Sequence, residues 1–374
     1  MVGPGEVKRV VVSAVNLTEA GPLKVLRDFV DAACETLPAE WEIYVFVHDE
    51  RLLRHPRARL IAIPHAKRRW LLRLRVEWFE FRKYARELRP DLWVSLHDIT
   101  PWIGDVPQVV YCHNAIPLSP ARWREFVFLP TQLFIRIAYA LLYRIRLNRN
   151  RAIIVQQEWL RERFREWARE SVQIIVAHPS HEVNGPAGRV VDRQAVAGPK
   201  KFLFPTLARP FKNIELIGAA LERLEKKPDW TSQVVVTVDG TENRYASWLK
   251  RRFGSLRTLR LVGRQSHEQM QARYAEADCL LFPSRMESWG LPITEAKAHG
   301  LAIFAADLPY AHETVGNYDR AAFVNLDDAD ALARKMLDFQ EGRLRFAPTI
   351  AALPAEPFAN GWRELVEVLV RFAD

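Results

Sequence analysis

Short apolar runs recur along the chain at residues 9–15, 42–48, 92–96, 108–112, 152–156 and 173–177, separated by polar or helix-periodic stretches. Runs of this length bounded by turn residues predict buried strands, and strands alternating with helices predict parallel sheets with crossover helices. Residues 22–37 supply one such helix, with Leu23, Leu26, Val30 and Ala33 on one face and Pro38 just past its end. A second series of strands falls at 201–204, 233–238, 259–262, 279–282, 302–305 and 322–324. Between the two series, residues 180–199 are rich in Gly, Pro and polar side chains and read as a linker. In the last stretch, 358–372, Trp362, Leu365, Leu369 and Phe372 recur at helical spacing behind a loop holding Pro354 and Pro357. The pattern predicts an α/β protein with a Rossmann-like domain over 1–184, another over 199–355, and a terminal helical segment, 356–374, that can return to the first domain.

Length agrees with this division, because hydrophobic cores stop growing near ~250 residues and the chain has 374. With 49% apolar and 26% charged residues, disordered and fibrous classes are excluded. An excess of 54 basic over 45 acidic residues, net +9, favours an anionic partner: nucleic acid, a lipid surface or a phosphorylated substrate. Charge does not choose among these. Cys34, Cys112 and Cys279 are odd in number and far apart, so neither a disulfide framework nor a metal knuckle is predicted, and a reducing cytoplasm is expected. The first apolar run is too short for a signal peptide. The most apolar longer window, 133–147, is interrupted by Arg136, Arg144 and Arg146 and does not predict a spanning helix.

Residues 282–300, FPSRMESWGLPITEAKAHG, need a joint explanation. Gly290 permits close backbone approach, and Pro292 suits the first turn of a helix running to about His299. Such an N-terminus offers free N–H groups and partial positive charge to an anion. Glu287 precedes the helix and Glu295 lies within it, where carboxylates can accept hydrogen bonds from sugar hydroxyls. A loop and an amphipathic helix bearing two solvated glutamates would explain the glutamate pair alone.

The whole segment resembles the retaining glycosyltransferases of family 4, whose signature is E-x7-E with G-L-P inside it, after a strand ending in F-P-S. Phe282, Pro283, Ser284, Glu287, Gly290, Leu291, Pro292, Glu295 and Ala296 match. The resemblance implies a GT-B fold of two Rossmann-like domains facing across a cleft, the nucleotide held by the second and the acceptor facing the first. It further implies that Glu295 binds the ribose, that Gly290 and Leu291 offer N–H groups to the diphosphate or sugar, and that Glu287 contacts the donor sugar beside Trp289.

Other positions extend this set. In FPTLARPFKNIELIGAAL, residues 204–221, Arg209 and Lys212 stand between a strand and a helix, where two cations can neutralise a leaving diphosphate; surface charge is the alternative. Lys212 and Asn213 fit the family's K-N, but Thr206 and Leu207 replace its usual Gly-Arg. In LVGRQSHEQM, residues 261–270, Gly263 matches the family's glycine, which places Arg264 and Gln265 near the base. Gly21, in NLTEAGPL, can admit a phosphate or serve only as a helix-entry turn. SLHDITP and YCHNAIP put His97, Asp98 and His113 at carboxyl ends of strands, where open α/β sheets bind ligands. His113 resembles the family's histidine beside the donor sugar. Asp328 and Asp330 spell a DxD-like pair but precede an apolar periodic run, as a helix cap does, and no metal is expected. Residues 67–88 combine eight Lys or Arg residues with Trp70, Trp78 and Phe79, fitting either a helix on anionic lipid or a packed helix with solvated charges.

The expectation is therefore metal-independent transfer of a hexose, with retention, from a nucleoside-diphosphate sugar to a lipid-linked or surface glycan. His113, Lys212 and Glu287 are the catalytic candidates, no cofactor is required beyond the donor, and no nucleic-acid partner is expected. The place is the cytoplasm or the inner face of its membrane. The YCHN and FKN stretches lean the donor towards GDP-mannose or a GDP-deoxyhexose, with a UDP-hexose as the other option. The rivals are a sugar-nucleotide epimerase or hydrolase of the same fold and a non-catalytic basic module that binds membrane or nucleic acid.

Overall fold

The computed structural model describes residues 7–18, 20–67, 69–118, 120, 123–179, 197–350 and 352–373. Most of the 180–199 linker lies outside the described residues. The chain divides into two compact units: one drawn from 1–118, 136–181 and 354–374, the other from 119–135 and 182–353.

The first unit is built on eight parallel strands: β1 (Lys8–Ser13), β2 (Trp41–Val47), β3 (Ala58–Ala62), β4 (Leu92–Ser95), β5 (Gln108–Cys112), β6 (Ala152–Val155), β7 (Gln173–His178) and β14 (Phe358–Asn360). Their spatial order is β14-β7-β6-β5-β4-β1-β2-β3. β4, β5 and β6 are buried along their whole length, as a parallel sheet covered on both faces requires. The second unit orders β8 (Lys201–Phe204), β9 (Gln233–Val236), β10 (Leu259–Leu261), β11 (Cys279–Phe282), β12 (Ala302–Ala306) and β13 (Ala321–Val324) as β10-β9-β8-β11-β12-β13, again all parallel. In both sheets the order reverses once, between β1 and β4 and between β8 and β11. Such switch points are where open sheets bind ligands.

Four differences from the sequence pattern have physical causes. β3 is an edge strand whose residues are half exposed, so it shows no continuous apolar run. Residues 358–372 form not one helix but β14 followed by helix Trp362–Val370. Gly361 separates the two, and the fully buried Ala359 sits between partly exposed neighbours, too short an alternation to announce a strand. Trp362 then packs edge-on to Phe29 (5.9 Å) and against Tyr111 (5.5 Å), and the guanidinium of Arg161 donates to the carbonyls of Ala355 (2.7 Å) and Pro357 (2.8 Å). Helix Trp123–Phe128 falls in the second unit, although the strand-helix alternation keeps it in the first. There Arg124 pairs with Glu215, and Phe128 packs on Tyr245 (5.5 Å) and Trp248 (5.4 Å).

The fourth difference concerns residues 67–88, which are not one regular helix with all its charges solvated. Helix Trp70–Arg75 passes through a π turn, Val76–Glu80, into helix Phe81–Leu88. Arg73 and Glu77 point inward and are buried, with Arg73 Nε donating to Glu77 Oε1 at 2.7 Å. A wide turn inserted in a helix turns side chains out of the 3.6-residue register, and polar periodicity cannot reveal it.

Candidate functional site

Two loops at the β8/β11 switch point carry the candidate chemistry. Beyond β8, the Thr206 N–H donates to Thr237 Oγ1 (2.7 Å), and that hydroxyl donates to the Thr206 carbonyl (2.9 Å). The chain turns through Arg209 and the short 3-10 helix Pro210–Lys212, and Asn213 takes φ 57° before helix Ile214–Leu224. Asparagine tolerates the left-handed region, which accounts for the Lys-Asn pair. Beyond β11, Phe282, Pro283 and Ser284 are buried, and the Tyr310 hydroxyl donates to the Ser284 carbonyl at 2.6 Å. Arg285 ties the loops together: its N–H donates to the Phe211 carbonyl (2.7 Å), and its Nη2 donates to the Leu326 carbonyl (2.7 Å) and to Asp327 Oδ1 (2.6 Å).

So pinned, the Lys212 ammonium meets the Glu287 carboxylate in an ion pair, each side chain 15% exposed. The ammonium also lies over the rings of Phe211 (5.5 Å) and Phe282 (5.6 Å), which fix its position. Arg209 is half buried, its guanidinium forms no hydrogen bond or ion pair among the described residues, and burial lowers its pKa. A partly desolvated cation beside a Lys–Glu pair can accept an anionic ligand without first losing a protein partner.

Gly290 has φ 97° and ψ 56° and opens helix Leu291–Ala298, with Pro292 in the first turn. The N–H groups of Gly290 and Leu291 donate to no described residue, as expected at a helix N-terminus. A Cβ at Gly290 would stand 3.3 Å from Phe282 Cε1. Gly290→Ala should therefore cost about 1–3 kcal/mol through left-handed backbone strain, read as a lower denaturation midpoint in urea; an unchanged midpoint would show that the loop relaxes freely.

Glu295 is exposed and accepts a hydrogen bond from the Tyr274 hydroxyl at 2.5 Å. Burial, together with the charge of Glu295, pushes the Tyr274 phenol well above its ordinary pKa, so it stays a donor. Nothing in the sequence pattern singled out Tyr274 or Arg285. Tyr274 is a lone tyrosine on helix His267–Glu276, and only the fold brings it to the helix after β11. Tyr274→Phe should raise the Michaelis constant for the donor about threefold to tenfold and leave kcat within about twofold, the mark of lost ground-state positioning. A fall in kcat alone would contradict that role.

The remaining candidates are distributed around this centre. Gly263, at φ 70°, lies so close to Asp239 that an added Cβ would sit 2.9 Å from Oδ2. Arg264 is exposed on the same loop, and Gln265 folds back onto the carbonyls of Val262 (3.0 Å) and Gly263 (3.2 Å). Trp289 is buried, its Nε1 donating to Thr294 Oγ1 at 3.0 Å, so its indole holds the loop's shape. Asp328 caps helix Ala329–Gln340 by accepting from the Ala331 N–H at 2.8 Å, and Asp330 pairs with Arg223. A cavity of about 810 Å3 opens beside the Arg285 loop at the carboxyl ends of β11, β12 and β13, lined in part by Phe211, Met286, Asp307 and Asn325.

Two candidates belong to the first unit. Gly21 lies in the first turn of helix Ala20–Thr36 rather than in a loop ahead of it, because Pro22 is compatible with a first turn. His113 follows β5; its N–H and that of Asn114 donate to Asp98 Oδ1 (2.8 and 3.1 Å), while Asp98 itself adopts φ 70°. The His113 ring is 19% exposed, with Nδ1 3.6 Å from the same carboxylate. Asp98 is thus a positioning residue for the His113 loop. His97 is fully buried against Glu77 Oε1 (3.2 Å), and burial holds it neutral, far below the usual histidine range. It cannot reach a ligand.

The family model described as glycosyl transferases group 1 matches residues 192–347. A curated relative, D-inositol 3-phosphate glycosyltransferase of Streptomyces scabiei, is 27% identical over 215 residues, 54% of this chain and 48% of that protein. The chain thus spans about half the length of the curated relatives it matches. Among solved structures, sucrose-phosphate synthase of Thermosynechococcus elongatus aligns over 98% of this chain and 96% of its own, at TM-score 0.63 and 17% identity. Anabaena HepE in complex with UDP-glucose aligns over 98% and 97%, at TM-score 0.60 and 17% identity. These likenesses show the fold, which is GT-B.

Proposed function

We propose, for a GT-B chain whose residues 192–347 match the family model of the group 1 glycosyl transferases, that the protein transfers a hexose from a nucleoside-diphosphate sugar to a lipid-linked or surface glycan. The observation that carries this reading is the Lys212–Glu287 pair at the switch point, flanked by the unpaired Arg209 and by the helix N-terminus at Gly290. A diphosphate fits there because it can draw Lys212 away from Glu287, engage Arg209, and accept from the free N–H groups. Glu287, released, then faces the sugar, and Glu295, oriented by Tyr274, accepts from the ribose hydroxyls.

Transfer proceeds with retention and without a metal. No side chain at the centre is an activated nucleophile, so the leaving diphosphate takes the acceptor's proton on the same face, its growing charge stabilised by Lys212, Arg209 and the helix N-terminus. His113, on the first unit and held there by Asp98, orients hydroxyls of the acceptor. The HepE complex with UDP-glucose supports a nucleotide sugar as the donor class, and GDP-mannose and UDP-hexoses are the donors to try first. The enzyme acts in the cytoplasm at the inner face of the membrane that carries its acceptor.

The test is a thermal-shift panel of UDP, GDP, TDP and their sugars, followed by transfer assays with and without acceptor. One nucleotide sugar is expected to raise the melting temperature and to be consumed only when acceptor is present. Consumption without acceptor, giving free sugar or an epimer, would replace this reading by hydrolysis or epimerisation. A shift with an oligonucleotide and none with any nucleotide sugar would replace it by a binding module.

A further inference from the structure

The first unit carries a cluster of cations that the transfer chemistry does not use. A cavity of about 480 Å3 is lined by Arg144, Arg146, Arg149 and Arg169 together with Leu147 and Asn148. Among the described residues none of the four guanidinium groups pairs with a carboxylate, and Arg146 Nε is buried without a hydrogen-bond partner. Two of the arginines are held in place by indoles: Arg144 lies 4.2 Å from the ring centre of Trp167, and Arg146 lies 4.9 Å from that of Trp102, itself 38% exposed. Burial lowers the pKa of Arg146, and the like charges of Arg149 and Arg82 add to the effect. Four like charges gathered without a counterion, on a rigid aromatic support, call for an anion with several acceptor oxygens.

The helix leading into this cavity, Pro130–Arg144, is inverted relative to an ordinary surface helix. Ile137 and Leu141, four apart and so on one side, are 54% and 57% exposed, Ile145 just past the helix end is 40% exposed, and Leu142 and Tyr143 face the core. An apolar ridge ending in an arginine-rich seat with interfacial tryptophan matches an amphiphile in both halves: acyl chains against the ridge, phosphate oxygens in the seat. No helix among the described residues is long and apolar enough to cross a membrane, so the ridge lies on a lipid surface rather than through it.

We propose that this ridge and cavity are the docking site for an anionic phospholipid surface, with a phosphate headgroup seated among Arg144, Arg146, Arg149 and Arg169. The site deepens the membrane part of the function proposed above and rests on residues 137–169. It is tested without donor or acceptor, so its failure is separate from failure of the transfer reading.

The experiment is co-sedimentation of the full chain with phosphatidylcholine vesicles, with and without phosphatidylglycerol, together with thermal shift by inorganic phosphate. Binding is expected only to the phosphatidylglycerol vesicles and should weaken with salt. Arg149→Ser and Arg169→Ser, at exposed positions, should each weaken it about fivefold. Ile137→Ser with Leu141→Ser should abolish it while leaving the melting temperature unchanged or raised. Lys212→Ala should bind vesicles like the parent. Equal binding by the arginine variants would overturn the proposal. So would stabilisation by inorganic phosphate, or retention of an oligonucleotide, without vesicle binding.

Discussion

Lys212→Ala is expected to lower kcat about 100-fold to 1,000-fold, the scale seen when one preorganised donor to a developing negative charge is removed. The ammonium stands at the switch point with its position fixed by Glu287 and two aromatic rings. If Lys212 meets the charge that grows on the leaving diphosphate, as proposed, the effect should fall on kcat and on kcat/KM alike. The melting temperature is the control, because Lys212→Ala leaves Glu287 without its partner at a side chain only 15% exposed, and turnover must be compared at a temperature where both proteins are folded. Turnover near that of the parent would remove Lys212 from the mechanism.

The second large effect is expected in the first unit. Arg73→Met should destabilise the first unit by about 3–5 kcal/mol, because it leaves Glu77 fully buried without its guanidinium partner. It also removes the donor to the His97 carbonyl (2.7 Å). Burial already raises the Glu77 carboxyl to about 7 against the opposing pull of Arg73. With a folded-state pKa above the unfolded value, this group's contribution is full below about pH 4.5 and is lost as pH rises through about 7. Without Arg73 the charged form is penalised further, so the loss of stability should be larger at pH 8 than at pH 5. Adding Glu77→Leu should recover most of it, since an apolar pair of similar volume has no charge to strand. Denaturant melts of the parent and the two variants at both pH values decide the matter; an effect independent of pH would mean that Glu77 is not the group left stranded.

The parts of the molecule legible in the sequence are those where one local requirement fixes several residues at once. Residues 282–300 are of this kind: a left-handed turn needs Gly290, a first helical turn accepts Pro292, and a buried strand end takes Phe282 and Pro283, so the pattern announces the element and its boundary together. The buried strands of both sheets are legible for the same reason. Tyr274 and Arg285 were not, because each acts through a partner on another element, Glu295 in one case and the carbonyls of Phe211 and Leu326 in the other. His97 shows the opposite failure. Its place at a strand end is that of a ligand-binding residue, and only the inward π turn that delivers Glu77 shows that it belongs to the core.

The return of the last segment has a consequence for how the chain is made. β14 and Trp362 complete the first unit's sheet and core, yet they follow the whole of the second unit in sequence. Emerging from a ribosome, the first unit waits with Phe29 and Tyr111 uncovered until residues 358–370 have been translated, while the second unit already has its own sheet in hand. The half of the protein synthesised first is therefore the half that finishes last, and its exposed core in that interval is where a chaperone would be needed.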